Sequence, residues 1–168
     1  MDAEAVRRSL TRIAHEIVER NQGTDGLVLV GIMTKGVPLA RRLAGCLRDL
    51  EESAVPVGEL DPGHHRDDLH LRPPAARPAS RLPEIDGRVV VLVDDVIWHG
   101  RTVRAAMDAL IEFGRPRAVQ LAVLVDRGHR ELPIRPDFVG KNVPTAAGER
   151  VQVLLQELDG LDRALILQ

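Results

Sequence analysis

Apolar residues recur along the chain in two rhythms. Between residues 3 and 21, Val6, Leu10, Ile13, Ile17 and Val18 fall at three- and four-residue spacing with Arg and Glu between them. This pattern predicts an amphipathic helix closed by Gly23. Residues 27–32 are apolar apart from Gly31, the pattern of a strand buried on both faces. They lead through Met33-Thr34-Lys35-Gly36 into a helix with Pro38 in its first turn that reaches Leu50. A shorter strand is expected over 55–60. Residues 89–93 form a second buried strand that ends in Asp94 and Asp95, followed by a short loop with Gly100 and a helix over 103–113. Residues 118–125 read as another buried strand, and 138–140 and 151–155 as short ones, whereas 157–168 are too short and mixed to assign. Alternating strands and helices predict an α/β fold: a doubly wound, mainly parallel sheet with helices on both faces. At 168 residues, one domain spanning 1–168 is expected.

The periodicity stops between 61 and 83. That stretch holds five prolines, four arginines and three histidines and reads as a long, flexible, exposed loop. A structureless segment of this length inside one domain is usually a lid or another functional loop. A linker is the alternative, but the apolar stretches on both sides are needed for one sheet. His64, His65 and His70 do not make a metal cluster, because adjacent histidines in such a loop point apart and Cys46 adds no ligand at a suitable spacing.

Composition removes several classes of function. A net charge of −2 gives no overall pull toward nucleic acid, so any RNA binding must come from a local basic patch. Aromatic residues are 2% of the chain, too few for a platform of stacked rings. The single cysteine rules out an internal disulfide and fits a reducing compartment. The charged N-terminus and the lack of a membrane-length apolar run argue against a signal peptide or anchor, so a cytoplasmic protein with no membrane partner is expected.

The chemistry gathers around residues 89–102. A helix start following a buried strand presents unpaired N–H groups and a positive dipole, which suit a phosphate. Two carboxylates beside it can hold sugar hydroxyls or a hydrated Mg²⁺. Ligands of parallel sheets bind at the carboxyl ends of the strands, where the loops 33–36 and 98–102 both lie. A sugar phosphate is therefore the first expectation. The acid pair alone is unspecific, since receiver domains and Mg²⁺-dependent phosphatases place carboxylates similarly.

The full run Val-Leu-Val-Asp-Asp-Val-Ile-x-x-Gly-Arg-Thr ending at Thr102 closely resembles the phosphoribosyl pyrophosphate (PRPP) signature of type I phosphoribosyltransferases. Met-Asp-Ala-Leu, Gly-Arg-Pro and the stretches 10–16, 29–32, 121–135 and 140–145 resemble the pyrimidine operon attenuation regulator and uracil phosphoribosyltransferase family, PyrR. The match covers nearly the whole chain outside 61–83. It implies a type I phosphoribosyltransferase-like fold with a lid at 61–83 and a small C-terminal hood at about 126–145. It also implies that uracil and PRPP give UMP and pyrophosphate with Mg²⁺. Asp94 and Asp95 would be the catalytic carboxylates, holding the ribose hydroxyls and the metal, directly or through water. Trp98, His99, Gly100, Arg101 and Thr102 would wrap the phosphate, Thr34, Lys35 and Gly36 would take the pyrophosphate, and Arg66, Asp67 and Asp68 would belong to the lid.

The resemblance implies a second activity, binding of pyrimidine-operon leader RNA that depends on UMP or UTP, by a homodimer or higher homo-oligomer. Its surface would include Thr11, Arg12, His129, Arg130, Arg135 and Lys141. Without the resemblance, these six read as a solvated face. The chain departs from the family at three places. His99 stands where the family carries Thr or Ser. Pro62-Gly63-His64-His65 replaces apolar and aromatic residues, and Ala146-Ala147 replaces Ser and a basic residue. Losing one hydrogen bond to a charged group costs about 1.5–3 kcal/mol, so activity lower by about ten- to a hundredfold is expected from His99. A nucleotide-sensing RNA regulator with weak or no catalysis, and a phosphoribosyltransferase for another base, are the alternatives.

Overall fold

Five apolar strands lie side by side in the order β2-β1-β3-β4-β5, every neighbouring pair parallel. They are β1 (Leu27–Ile32), β2 (Val57–Leu60), β3 (Val89–Ile97), β4 (Ala118–Asp126) and β5 (Phe138–Asn142). The computed structural model describes residues 1–67 and 79–168. Helices α1 (Ala3–Asn21) and α2 (Gly36–Glu51) cover one face of the sheet, and α3 (Arg101–Ile111) covers the other. The side-chain alternation of a strand explains the two cores. Val89, Val91 and Val93 pack with Leu27, Leu29 and the α1–α2 layer, while Val90 and Leu92 pack with Val28, Val30 and α3. The stripe predicted for α1 is the one buried: Val6, Leu10, Ile13 and Ile17 are at most 4% exposed. Each such side chain contributes roughly 1.5–3 kcal/mol by leaving water.

Several boundaries differ from expectation for local reasons. α1 is closed by Gln22 in the left-handed region (φ 55°), while the Gly23 N–H donates to the Val18 carbonyl at 3.0 Å. α3 begins two residues early, at Arg101, because Gly100 turns the chain with φ 94°. β3 does not stop at the acid pair. Its pairing continues through Val96↔Val125 and Ile97↔Asp126, which places both carboxylates within the strand.

The segment left unassigned at 157–168 contributes to two elements, α4 (Gln156–Asp159) and β7 (Arg163–Leu167). β7 pairs antiparallel with β6 (Arg150–Leu154) in a separate two-stranded sheet. The expected hood range of 126–145 therefore overlaps the main sheet, since 138–142 form β5, and the small separate sheet lies further along the chain. The loop at 61–83 is not uniformly exposed. Pro62 and Gly63 are buried beside a 3₁₀ turn at Gly63–His65, and Glu59 and Arg81 exchange backbone hydrogen bonds of 2.7 and 2.8 Å. Asp68 and His70 lie outside the described residues.

Arg42 on α2 fastens this C-terminal unit to the body. Its guanidinium donates to both Asp162 oxygens, at 2.8 and 2.9 Å, and its Nε donates to Glu157 at 2.8 Å. Arg42 in turn holds the Glu157 and Asp162 carboxyls below their usual values. Carboxyls depressed in the fold contribute stability above their unfolded values of 4.5 and 3.8, and that stability is lost as pH falls through the folded values. Arg42→Met is expected to cost about 1–2 kcal/mol at pH 7, because Glu157 is partly screened by solvent. The difference from wild type in thermal melts should shrink as the pH is taken below 4.

Candidate active site

The site is assembled where the carboxyl ends of β1 and β3 meet the starts of α2 and α3. Two glycines bring α2 onto the sheet. A Cβ on Gly31 would lie 2.5 Å from the Val37 Cα, and one on Gly36 would overlap the Val93 carbonyl oxygen, 3.1 Å from its carbon and 3.4 Å from the Asp94 Cα. No side chain fits there, so the loop 33–36, whose Met33–Thr34 peptide is cis, closes directly against β3 at the acid pair.

Asp94 is 7% exposed and Asp95 is half-buried. One oxygen of Asp94 accepts from the Asp95 N–H at 2.9 Å, and one of Asp95 accepts from the Val96 N–H at 2.9 Å. Burial, followed by the neighbouring Asp95 charge, pushes the Asp94 carboxyl well up. Burial also raises Asp95, against the opposing pull of its hydrogen bonds and of Lys35. Among the described residues, no three His, Cys, Asp or Glu side chains come together as a metal cage. Two adjacent carboxylates without a cage suit Mg²⁺, which keeps waters and takes its remaining oxygens from substrate phosphates. The chemistry of this donor pair is compatible with the metal expected from the sequence.

Beside them, 98–102 lines an open cavity of about 620 Å³ with Val96, Arg66, Asp67, Arg127, Arg150 and Val151. No side chain caps the start of α3, which leaves its first-turn N–H groups for a ligand. Thr102 sits half-buried on that turn. Arg101 is directed elsewhere, with Nη1 on Asp67 at 2.6 Å and Nε on Glu131 at 2.8 Å. The His99 ring stacks on Trp98, with centroids 3.4 Å apart, and its Nε2 lies 3.6 Å from Glu131. A second cavity, of about 580 Å³, shares Arg66 and contains Thr34. Lys35 bonds the Val153 carbonyl of β6 and lies 3.6 Å from Asp159, tying the loop 33–36 to the C-terminal sheet.

The residues expected at an RNA surface fall into separate groups. Arg12 donates to Glu16 and to the Val139 and Gly140 carbonyls, which brings α1 to β5 near exposed Lys141. The Thr11 hydroxyl donates to the Arg7 carbonyl. His129 Nε2 lies 2.6 Å from the Thr145 carbonyl oxygen, and Arg130 spans from Asp126 to the Trp98 carbonyl. Arg130 thus braces the loop 98–102. Arg135 is exposed and joins neither group by a hydrogen bond or ion pair.

Comparison with known proteins adds the family. The phosphoribosyl transferase domain model matches residues 2–157. The bifunctional protein PyrR of Pelotomaculum thermopropionicum is 60% identical over 172 residues, covering 100% of this chain and 94% of the relative. This chain belongs to the PyrR family. The PyrR of Streptomyces coelicolor is likewise 60% identical, with 99% of this chain and 87% of that protein covered. In fold, the chain is similar to the hypoxanthine phosphoribosyltransferase of Trypanosoma cruzi solved with the product IMP. The TM-score is 0.68 at 20% identity, covering 87% of this chain and 76% of that one. The fold is therefore the type I phosphoribosyltransferase fold expected from the sequence. Among the described residues, no helix of this PyrR chain is long and apolar enough to cross a membrane.

One residue that lines this cavity of the PyrR chain was not among those expected from the sequence. Arg127, at the end of β4, is 4% exposed and lies over the Trp98 ring, 4.5 Å from its centroid. The available signal was an arginine two residues after the buried run 121–125, beyond Asp126.

Proposed function

We propose that this chain is a uracil phosphoribosyltransferase that forms UMP and pyrophosphate from uracil and PRPP, and that it also binds pyrimidine-operon leader RNA in response to uridine nucleotides. The observation that carries this reading is identity of 60% over nearly the whole chain with proteins named bifunctional PyrR, and the acid pair beside the uncapped start of α3 supports it.

In this reading, Asp94 and Asp95 orient the ribose hydroxyls, while the first-turn N–H groups of α3 and the Thr102 hydroxyl hold the 5-phosphate. Thr34, Lys35 and Gly36 face the pyrophosphate, and Arg66, Asp67 and Asp68 belong to the lid. The bond from ribose C1 to the pyrophosphate oxygen breaks with its electron pair leaving on pyrophosphate. A uracil nitrogen forms the new bond to C1 and releases its proton to solvent. The carbon is cation-like between these events, so positioning and water exclusion do most of the work, and no protein nucleophile is needed. Asp94 and Asp95 would hold Mg²⁺, which would supply neutralisation of the pyrophosphate charge. Regulation would use Thr11, Arg12, His129, Arg130, Arg135 and Lys141 on a homo-oligomer, doubling the local charge that a single chain lacks. The cytoplasm is the compartment that fits both activities.

UMP formation from uracil, PRPP and Mg²⁺ tests the catalytic half. A gel shift of pyrimidine-operon leader RNA with and without UMP tests the regulatory half, which fails if UMP leaves RNA affinity unchanged. A regulator with weak catalysis is the second reading, favoured by the His99 ring stacking on Trp98 instead of presenting a compact hydroxyl to the phosphate. His99→Thr is expected to raise UMP formation by about tenfold, the value of one hydrogen bond to a charged group. Unchanged turnover in that variant would show that His99 does not limit the reaction.

A further inference from the structure

The cations around the phosphate loop are not equivalent. Arg101 is committed to Asp67 and Glu131, Arg130 to Asp126 and the Trp98 carbonyl, and Arg104 to Asp108. Each of these has a carboxylate of its own. Arg127 has none among the described residues. Its Nε donates to the Thr145 hydroxyl at 3.0 Å, and its Nη2 donates to the Ala146 and Glu149 carbonyls at 3.4 and 2.6 Å. Its remaining partner is the π face of Trp98.

Burying a guanidinium against neutral acceptors alone leaves its desolvation largely uncompensated. The third nitrogen, Nη1, makes no hydrogen bond with a described residue. No described side-chain nitrogen is both buried and unpartnered, so Nη1 keeps some exposure, and Arg127 lines both the cavity beside 98–102 and a neighbouring one with His129 and Thr145. Three fixed acceptors hold the plane of the guanidinium, so its orientation over Trp98 is set before a ligand arrives.

We infer that Arg127 is a binding residue, the buried cation that neutralises an anionic group of the sugar-phosphate ligand beside residues 98–102. The assignment rests on the phosphoribosyltransferase reading of the cavity. It adds a side-chain cation from outside the signature to a loop expected to hold the phosphate by its N–H groups and the Thr102 hydroxyl. It also links the charge to the loop, because the same guanidinium rests on Trp98, the loop's first residue.

Trp98 is the single tryptophan of the chain, so its emission reports on this cavity in the whole protein. UMP and uridine, which differ by the phosphate, are titrated into wild type, Arg127→Met and Arg127→Lys. Arg127→Met should weaken UMP by about thirtyfold, as for the loss of a charge-assisted hydrogen bond. Arg127→Lys should weaken it by only a few fold, and uridine should bind all three proteins alike. Wild-type affinity for UMP in Arg127→Met overturns the assignment, as does an equal loss of UMP and uridine, which is the mark of a purely structural role. If Arg127→Met fails to fold, nitrogen-detected NMR of wild type decides: the Arg127 Nη signal must move with UMP and not with uridine, and a signal that stays still overturns the assignment. A wild-type protein that binds neither UMP nor PRPP would instead refute the phosphoribosyltransferase reading itself.

Discussion

Gly36→Ala is expected to lower the melting temperature by about 4–10 °C and to leave no measurable UMP formation. Alanine at the first helical position would ordinarily help the helix by about 0.5–1 kcal/mol relative to glycine. Here the added carbon meets the Val93 carbonyl and the Asp94 backbone. Those atoms belong to the central strand, paired with β1 on one side and β4 on the other, so they have no direction in which to yield. Overpacking against fixed backbone costs about 3 kcal/mol, and a domain of this size loses roughly 2–4 °C per kcal/mol. The clash exceeds the propensity gain several-fold. Whatever shift relieves it separates the loop 33–36 from the acid pair, so activity falls further than stability. Gly148→Ala is the control, since nothing lies within 4 Å of a Cβ there. Equal melting temperatures for Gly36→Ala and Gly148→Ala would refute the close seating of α2.

Asp94→Asn should separate stability from activity. Burial raises the Asp94 carboxyl above its unfolded value of 3.8, so the fold prefers the protonated acid. A group raised in this way contributes stability that is complete below the unfolded value and lost as pH climbs through the folded one. Asparagine is neutral throughout, and its carbonyl oxygen can still accept from the Asp95 N–H. Without substrate or Mg²⁺, the variant should therefore melt above wild type at pH 7, with the gap closing toward pH 4. UMP formation should fall by about a hundredfold or more, in the range set by removing one preorganised polar group from a reacting centre. Melts at several pH values beside a UMP assay check both arms, and a lower melting temperature at pH 7 would contradict the buried-acid argument.

What could be read from sequence follows from how locally each feature is determined. The parallel sheet was legible because β1 and most of β3 are buried on both faces, which leaves continuous apolar runs, and the acid pair was legible because it interrupts one of them. The continuation of β3 past the acids was not, because carboxylates mimic a strand end and only the pairing with β4 shows otherwise. β7 was missed for a different reason. Of its five residues only Ala164 is buried, so no alternation marks it, and its partner β6 lies across α4. The placements of Arg127 and Arg101 were not legible because each is decided by distant acceptors, at 145–149 for the first and at Asp67 and Glu131 for the second. Local pattern carries no information about such partners.

The acid pair sits within a strand that continues to Ile97, whereas the segments around it are fastened by single side chains: Lys35 to Val153, Arg130 to the Trp98 carbonyl, Arg127 to 145–149. These two kinds of support differ in how they withstand descent with modification. The carboxylates can be lost only by direct replacement, since five strands keep them in place. The surrounding segments can drift by one substitution at a time without unfolding anything. A lineage built this way can exchange one base for another, or give up turnover and keep sensing, while inheriting the same sheet.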